Sequence, residues 1–104
     1  MFKITDAAAE QVRSAARQGG TEGMSLRIAA HQKSDGAIDY LMGFDEVNEE
    51  DIRTVTQGVE VVMTPEYVPL LDEAVMDYVE LEKGDFKFIF SNPKDANYSP
   101  PPED

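Results

Sequence analysis

The sequence predicts a small single-domain α+β fold, mostly antiparallel or mixed β-sheet with two helices, on three observations. An alanine-rich stretch near the start repeats its apolar positions at helical spacing. Later stretches alternate apolar and polar residues with period two or run β-branched, as strands with a buried face do. A proline-opened helix start falls between the earlier and later strands. The order is helix, two strands, acidic loop, strand, short helix, two strands, which suits sheet with helices packed against it.

Thr5-Asp6 supplies an N-cap for the first helix, and Ala8, Val12 and Ala15 share one face while Glu10, Arg13 and Arg17 lie off it. Gly19-Gly20 stops it, because glycine tolerates the left-handed conformation that ends a helix. Leu26, Ile28 and Ala30 then alternate with Ser25, Arg27 and Ala29. After the polar residues 31–36, Ile38, Tyr40, Met42 and Phe44 share one face of a second strand, which makes the pair a loose hairpin.

The stretch 45–51 carries five carboxylates, Asp45, Glu46, Glu49, Glu50 and Asp51, and reads as a surface loop. Gly58 opens a β-branched strand over 59–63. Thr64-Pro65-Glu66 is a helix start with a capping hydroxyl, although Pro69 makes the helix short or irregular; Leu70 and Leu71 are its core contacts. A strand over 75–81 and a turn at Lys83-Gly84-Asp85 lead to a last strand. There Phe86, Phe88 and Phe90 alternate with Lys87 and Ile89, a pattern of core packing rather than of a binding platform. The domain is expected to span 1–91, with 92–104 a mobile, proline-rich acidic tail.

The chain has 104 residues and a net charge of -12, from 21 acidic and 9 basic side chains. Such a surface repels nucleic acid and anionic membranes and favours basic protein patches or cations, although solubility alone would also explain it. There is no cysteine, so thiolate metal sites, disulfides and thiol catalysis are excluded. With His31 the sole histidine, no nucleophile–base arrangement is visible, and a non-enzyme is expected. Neither a signal-peptide pattern at Met1-Phe2-Lys3 nor a membrane-spanning apolar run is seen, so the expected location is cytoplasmic.

Several local strings in this order resemble the HesB/IscA family, the A-type iron–sulfur carriers. They include Ile4-Thr5-Asp6-Ala7-Ala8, Leu26-Arg27-Ile28, Tyr40-Leu41-Met42-Gly43-Phe44-Asp45-Glu46 and Gly58-Val59-Glu60-Val61-Val62. Leu71-Asp72, Met76-Asp77-Tyr78-Val79, Phe86-Lys87-Phe88 and, most specific, Phe90-Ser91-Asn92-Pro93 complete the set. The resemblance implies a HesB-like domain and a cluster held by three cysteines. One belongs in the loop before the tyrosine-containing strand, where this chain has Asp35; the other two follow Asn-Pro, where it has Ser99 and Pro101. Glu73 replaces the family's usual glycine after the Leu-Asp pair.

Proline offers no ligand, serine is a poor one, and a single carboxylate does not make a cluster site. No cofactor is therefore expected. The same cysteines commonly sit at the family's subunit interface, so their loss, together with the charge, points to a monomer. Cysteine-free members occur in sulfur-oxidising bacteria, and the chain resembles that DsrR branch.

The expected role is a non-enzymatic accessory protein that binds proteins of sulfur oxidation or iron–sulfur metabolism through basic patches on them. Asp45, Glu46, Glu49, Glu50, Asp51 and the tail residue Tyr98 are its candidate contacts. Two alternatives stay open: an iron-binding or iron-donor protein using His31 and Asp35, and an indirect regulator of a sulfur-oxidation operon. Each site also has a plainer reading, His31 as a solvated loop histidine and 45–51 as a solvated loop without the ligand spacing of an EF-hand.

Overall fold

Residues 1–96 are described by the structure, a computed structural model. The chain runs through β1 (Lys3–Ile4), α1 (Asp6–Gly19), β2 (Ser25–Gln32), β3 (Ile38–Asp45), β4 (Ile52–Thr56) and β5 (Val59–Met63). A 3₁₀ turn (Pro65–Tyr67), α2 (Val68–Leu71), β6 (Val75–Glu82) and β7 (Asp85–Ser91) follow. The strands form two sheets, one in the order β1-β6-β7 and the other β3-β2-β5-β4. Both are mixed: β1 pairs parallel with β6 and β2 with β5, and the remaining pairs are antiparallel hairpins.

Helix α1 forms where its signals predict. The Thr5 hydroxyl accepts from the Ala8 N–H at 3.2 Å and donates to Asp77 Oδ1 at 2.6 Å, which ties the helix start to β6. Gly20 ends it at φ +70°. Its buried face is Ala8, Ala9, Val12 and Ala16, so the apolar stripe runs through Ala16 rather than Ala15, which is only half-buried. These small side chains let α1 lie close over β6 and β5, joining the two sheets through one core. Ile28, Val61, Leu71 and Met76 are fully buried in that core.

Besides the Ala15 face, five sequence expectations about the fold need correction. The acidic loop leads into a further strand, β4, whose hairpin with β5 turns at Gln57 (φ +52°) and Gly58 (φ +77°). Thr64 occupies the cap position before Pro65, but its hydroxyl makes no capping hydrogen bond. Met42 stands largely outside the core that Ile38, Tyr40 and Phe44 join. Of the phenylalanine stripe, Phe88 and Phe90 pack against the core, whereas Phe86 is 50% exposed.

The fifth concerns the tail, which does not begin at residue 92. Asn92 is 1% exposed and donates from Nδ2 to the Leu70 carbonyl at 2.6 Å, while its Oδ1 accepts from the Lys94 N–H at 3.0 Å. Residues 92–96 therefore belong to the domain.

Candidate functional site

The β2–β3 turn is built by its own side chain and one glycine. Asp35 Oδ1 accepts from the Ala37 N–H at 3.0 Å, an Asx-type turn, and Gly36 takes φ +89°. The segment after β7 is laid against this turn. The Ala96 N–H donates to the Gly36 carbonyl at 3.0 Å, and Gln32 Nε2 bridges the Gly36 and Lys94 carbonyls at 3.2 and 3.3 Å. Lys94 Nζ reaches the Pro69 carbonyl, which fastens the segment to α2 as well.

A tyrosine backs the junction. Tyr40 stacks on Phe90 with 4.1 Å between centroids and 5° between planes, so β3 of one sheet meets β7 of the other here. The Tyr40 hydroxyl is buried without a hydrogen-bond partner of good geometry among the described residues. Burial raises the pKa of this phenol, Asn92 beside it acts in the opposite sense, and the Asp95 charge adds to the rise.

Asp35 thus sits where the chain returns after Asn92-Pro93. Ser99, Pro101 and Tyr98 lie outside the described residues. His31 is exposed and stands opposite Asp39 in the β2–β3 register, and with Leu41 and Tyr67 they line a mainly apolar recess of about 310 Å³. Among the described residues, no three of His, Cys, Asp or Glu gather closely enough to hold a metal ion.

The acidic stretch lies elsewhere. Asp35 precedes β3 and Asp45 ends it, so the two candidate regions are separated by about 25 Å of extended chain. The stretch is ordered by a residue that sequence reasoning passed over. Arg27, on the neighbouring strand, donates to Asp45 Oδ2 at 2.7 Å, to both oxygens of Asp51 at 2.9 and 2.5 Å, and to the Glu46 carbonyl at 3.1 Å. The Asp51 side chain is 3% exposed and also accepts from the Asn48 N–H at 2.7 Å.

Arg27 and then Asn48 lower the Asp51 pKa to about 2, and Arg27 with the Glu46 N–H lowers that of Asp45. Asp51 is therefore an internal strut, Asp45 is engaged at the edge, and Glu46, Glu49 and Glu50 face solvent. Beside them Glu60 accepts from the Ser25 hydroxyl and from Arg53, at 2.8 Å for the latter, which lowers its pKa too. The signal for the Arg27 clamp was an arginine on a strand adjoining a carboxylate-rich loop, but its partners are 18 and 24 residues away and no local pattern ties them to it.

Two mixed sheets bridged by α1, with the chain returning from Asn92 to the β2–β3 turn, define a HesB-like fold. No family model matches the chain. It is 33% identical over 93 residues to the iron-sulfur cluster insertion protein ErpA 2 of Methylococcus capsulatus, covering 88% of this chain and 71% of that protein. It is 31% identical over 99 residues to the iron-binding protein IscA of Yersinia pestis, covering 92% and 89%. The crystal structure of IscA with the 2Fe-2S cluster superposes with a TM-score of 0.69 at 26% identity, over 89% of this chain and 83% of that one. The chain belongs to the IscA/ErpA family of A-type iron–sulfur carriers.

The donor set present does not fit an iron–sulfur cluster. The chain contains no thiolate, and a single exposed carboxylate, Asp35, with Oδ1 accepting from the Ala37 N–H, does not replace three.

Proposed function

We propose that this protein is a non-enzymatic member of the carrier family that no longer holds a cluster and acts by binding other proteins. The observation that carries the reading is Asp35: where the family resemblance calls for a ligating cysteine, this chain has a carboxylate serving as a turn element. The family scaffold is kept around it, down to the buried Asn92 that returns the chain to the same turn.

In this reading Glu46, Glu49 and Glu50 meet basic patches on proteins of sulfur oxidation or iron–sulfur metabolism, on a loop that Arg27 holds in shape. Tyr98 supplies an apolar anchor from the tail. The protein works as a cytoplasmic monomer, without nucleic acid or membrane, and belongs with the cysteine-free DsrR branch.

The test is a titration of the isotope-labelled full chain with purified cluster-assembly and sulfur-oxidation proteins, read as amide chemical-shift changes. Changes at residues 46–50 are expected with at least one partner, weakened by salt and by joint replacement of Glu46, Glu49 and Glu50 with glutamine. The absence of any change with every candidate would count against the reading.

A further inference from the structure

The core-facing side of the β6–β7 hairpin extends beyond the helix that covers it. Met76 is fully buried beneath α1, but the same face continues through Tyr78 to Phe86, which is half exposed. The two rings stack on each other, 5.6 Å between centroids and 19° between planes. They form one wall of a groove of about 560 Å³ whose other wall is α1, with Gln11, Arg13, Ser14 and Arg17.

The charge of this groove runs against the rest of the molecule. Arg27 takes two carboxylates and Arg53 takes one, in a chain with 21 acidic and 9 basic residues. Arg13 and Arg17 are one helical turn apart, and neither forms an ion pair among the described residues; Arg13 donates only to the Gln57 carbonyl at 2.9 Å. Glu10 also borders the groove but pairs with neither. A guanidinium binds carboxylates bidentately and stacks on planar groups, and arginine and tyrosine are among the residues enriched at binding hot spots. Charges more than about 8 Å away are largely screened at physiological ionic strength; the carboxylates nearer the groove are Glu10 and Glu80, which stands opposite Phe86 in the register and accepts from the Gly84 N–H at 2.9 Å.

We propose that this groove binds a short acidic segment of a partner protein, seating an aromatic side chain against Phe86 and Tyr78 and flanking carboxylates on Arg13 and Arg17. The surface is opposite in charge to the loop at 45–51, and the inference stands independently of the function proposed above.

The chain has no tryptophan, so a pentapeptide with a central tryptophan between paired glutamates reports its own binding by fluorescence. A saturable blue shift is expected with the full chain, with affinity at least about tenfold weaker for Arg17→Glu and for Phe86→Ser. The same peptide with lysine in place of glutamate is expected to bind at least about tenfold more weakly. Arg17 is exposed on α1, so its substitution keeps the test decisive even if Phe86→Ser perturbs folding. No saturable shift at millimolar peptide, equal binding of the lysine peptide, or unchanged affinity in Arg17→Glu would overturn the proposal.

Discussion

Arg27 grips Asp51 at both carboxylate oxygens, Nη1 to Oδ1 at 2.9 Å and Nη2 to Oδ2 at 2.5 Å, across 24 residues of sequence. The same guanidinium reaches Asp45 and the Glu46 carbonyl, so one side chain on β2 sets the shape of the acidic loop. Replacement by lysine keeps the charge but cannot reproduce the planar fork. Arg27→Lys is expected to lower the melting temperature by on the order of 5 °C and to broaden the amide signals of residues 45–51, as thermal denaturation and NMR would show.

The clamp also sets an acid limit. Asp51 has a pKa lowered to about 2, and that of Asp45 is lowered as well. A carboxylate whose pKa is depressed by folding contributes stability that is complete above its ordinary range and declines as the pH falls toward the folded value. Denaturant titrations should therefore show this contribution falling between about pH 5 and pH 2. Asp51→Asn should be less stable than the unaltered protein at neutral pH, with the difference shrinking through that window; a constant difference would contradict the assignment.

Asn92 uses both ends of its amide in a buried position. Asn92→Ala leaves the Leu70 carbonyl and the Lys94 N–H without these partners, and a loss of about 1–3 kcal/mol is expected in chemical denaturation. Hydrogen exchange at the Ala96 amide, which donates to Gly36, should rise in the same variant.

Gly36 is constrained twice. Its φ of +89° disfavours a side chain, and an added Cβ would come within 3.1 Å of the Ala96 Cβ. Gly36→Ala is expected to cost about 1–2 kcal/mol in denaturant unfolding. Combining it with Ala96→Gly should recover the steric part and leave the backbone part.

Much of this architecture could be read from local chemistry. The Thr5 cap and the Gly19-Gly20 stop bounded α1, and period-two alternation located β2, β3, β6 and β7. Two elements escaped. β1 has only two residues, too few to show a period, and exists because Lys3 and Ile4 pair with Val75 and Met76 far along the chain. β4 followed an acidic run that masked the alternation of its threonines with exposed Arg53 and Val55; the Gln57-Gly58 turn was the overlooked signal.

The candidate site divides in the same way. The place of Asp35 is legible from its string, whereas its engagement with Ala37 and the approach of Ala96 are spatial facts. Sequence alone points Asp51 toward a partner, whereas it faces Arg27, a pairing that depends on strand order rather than on neighbours in sequence. Phe86 followed the core pattern of Phe88 and Phe90 but lies where the helix no longer covers the sheet, a limit set by the lengths of packed elements.

A family scaffold persists here without thiolate ligands for an iron–sulfur cluster. Anaerobic incubation of the full chain with ferrous iron and sulfide, followed by desalting, tests it most directly. The expected result is a colourless protein with no visible charge-transfer absorption and no stoichiometric iron. A brown protein retaining a stable two-iron or four-iron centre would show that the chain still holds a cluster.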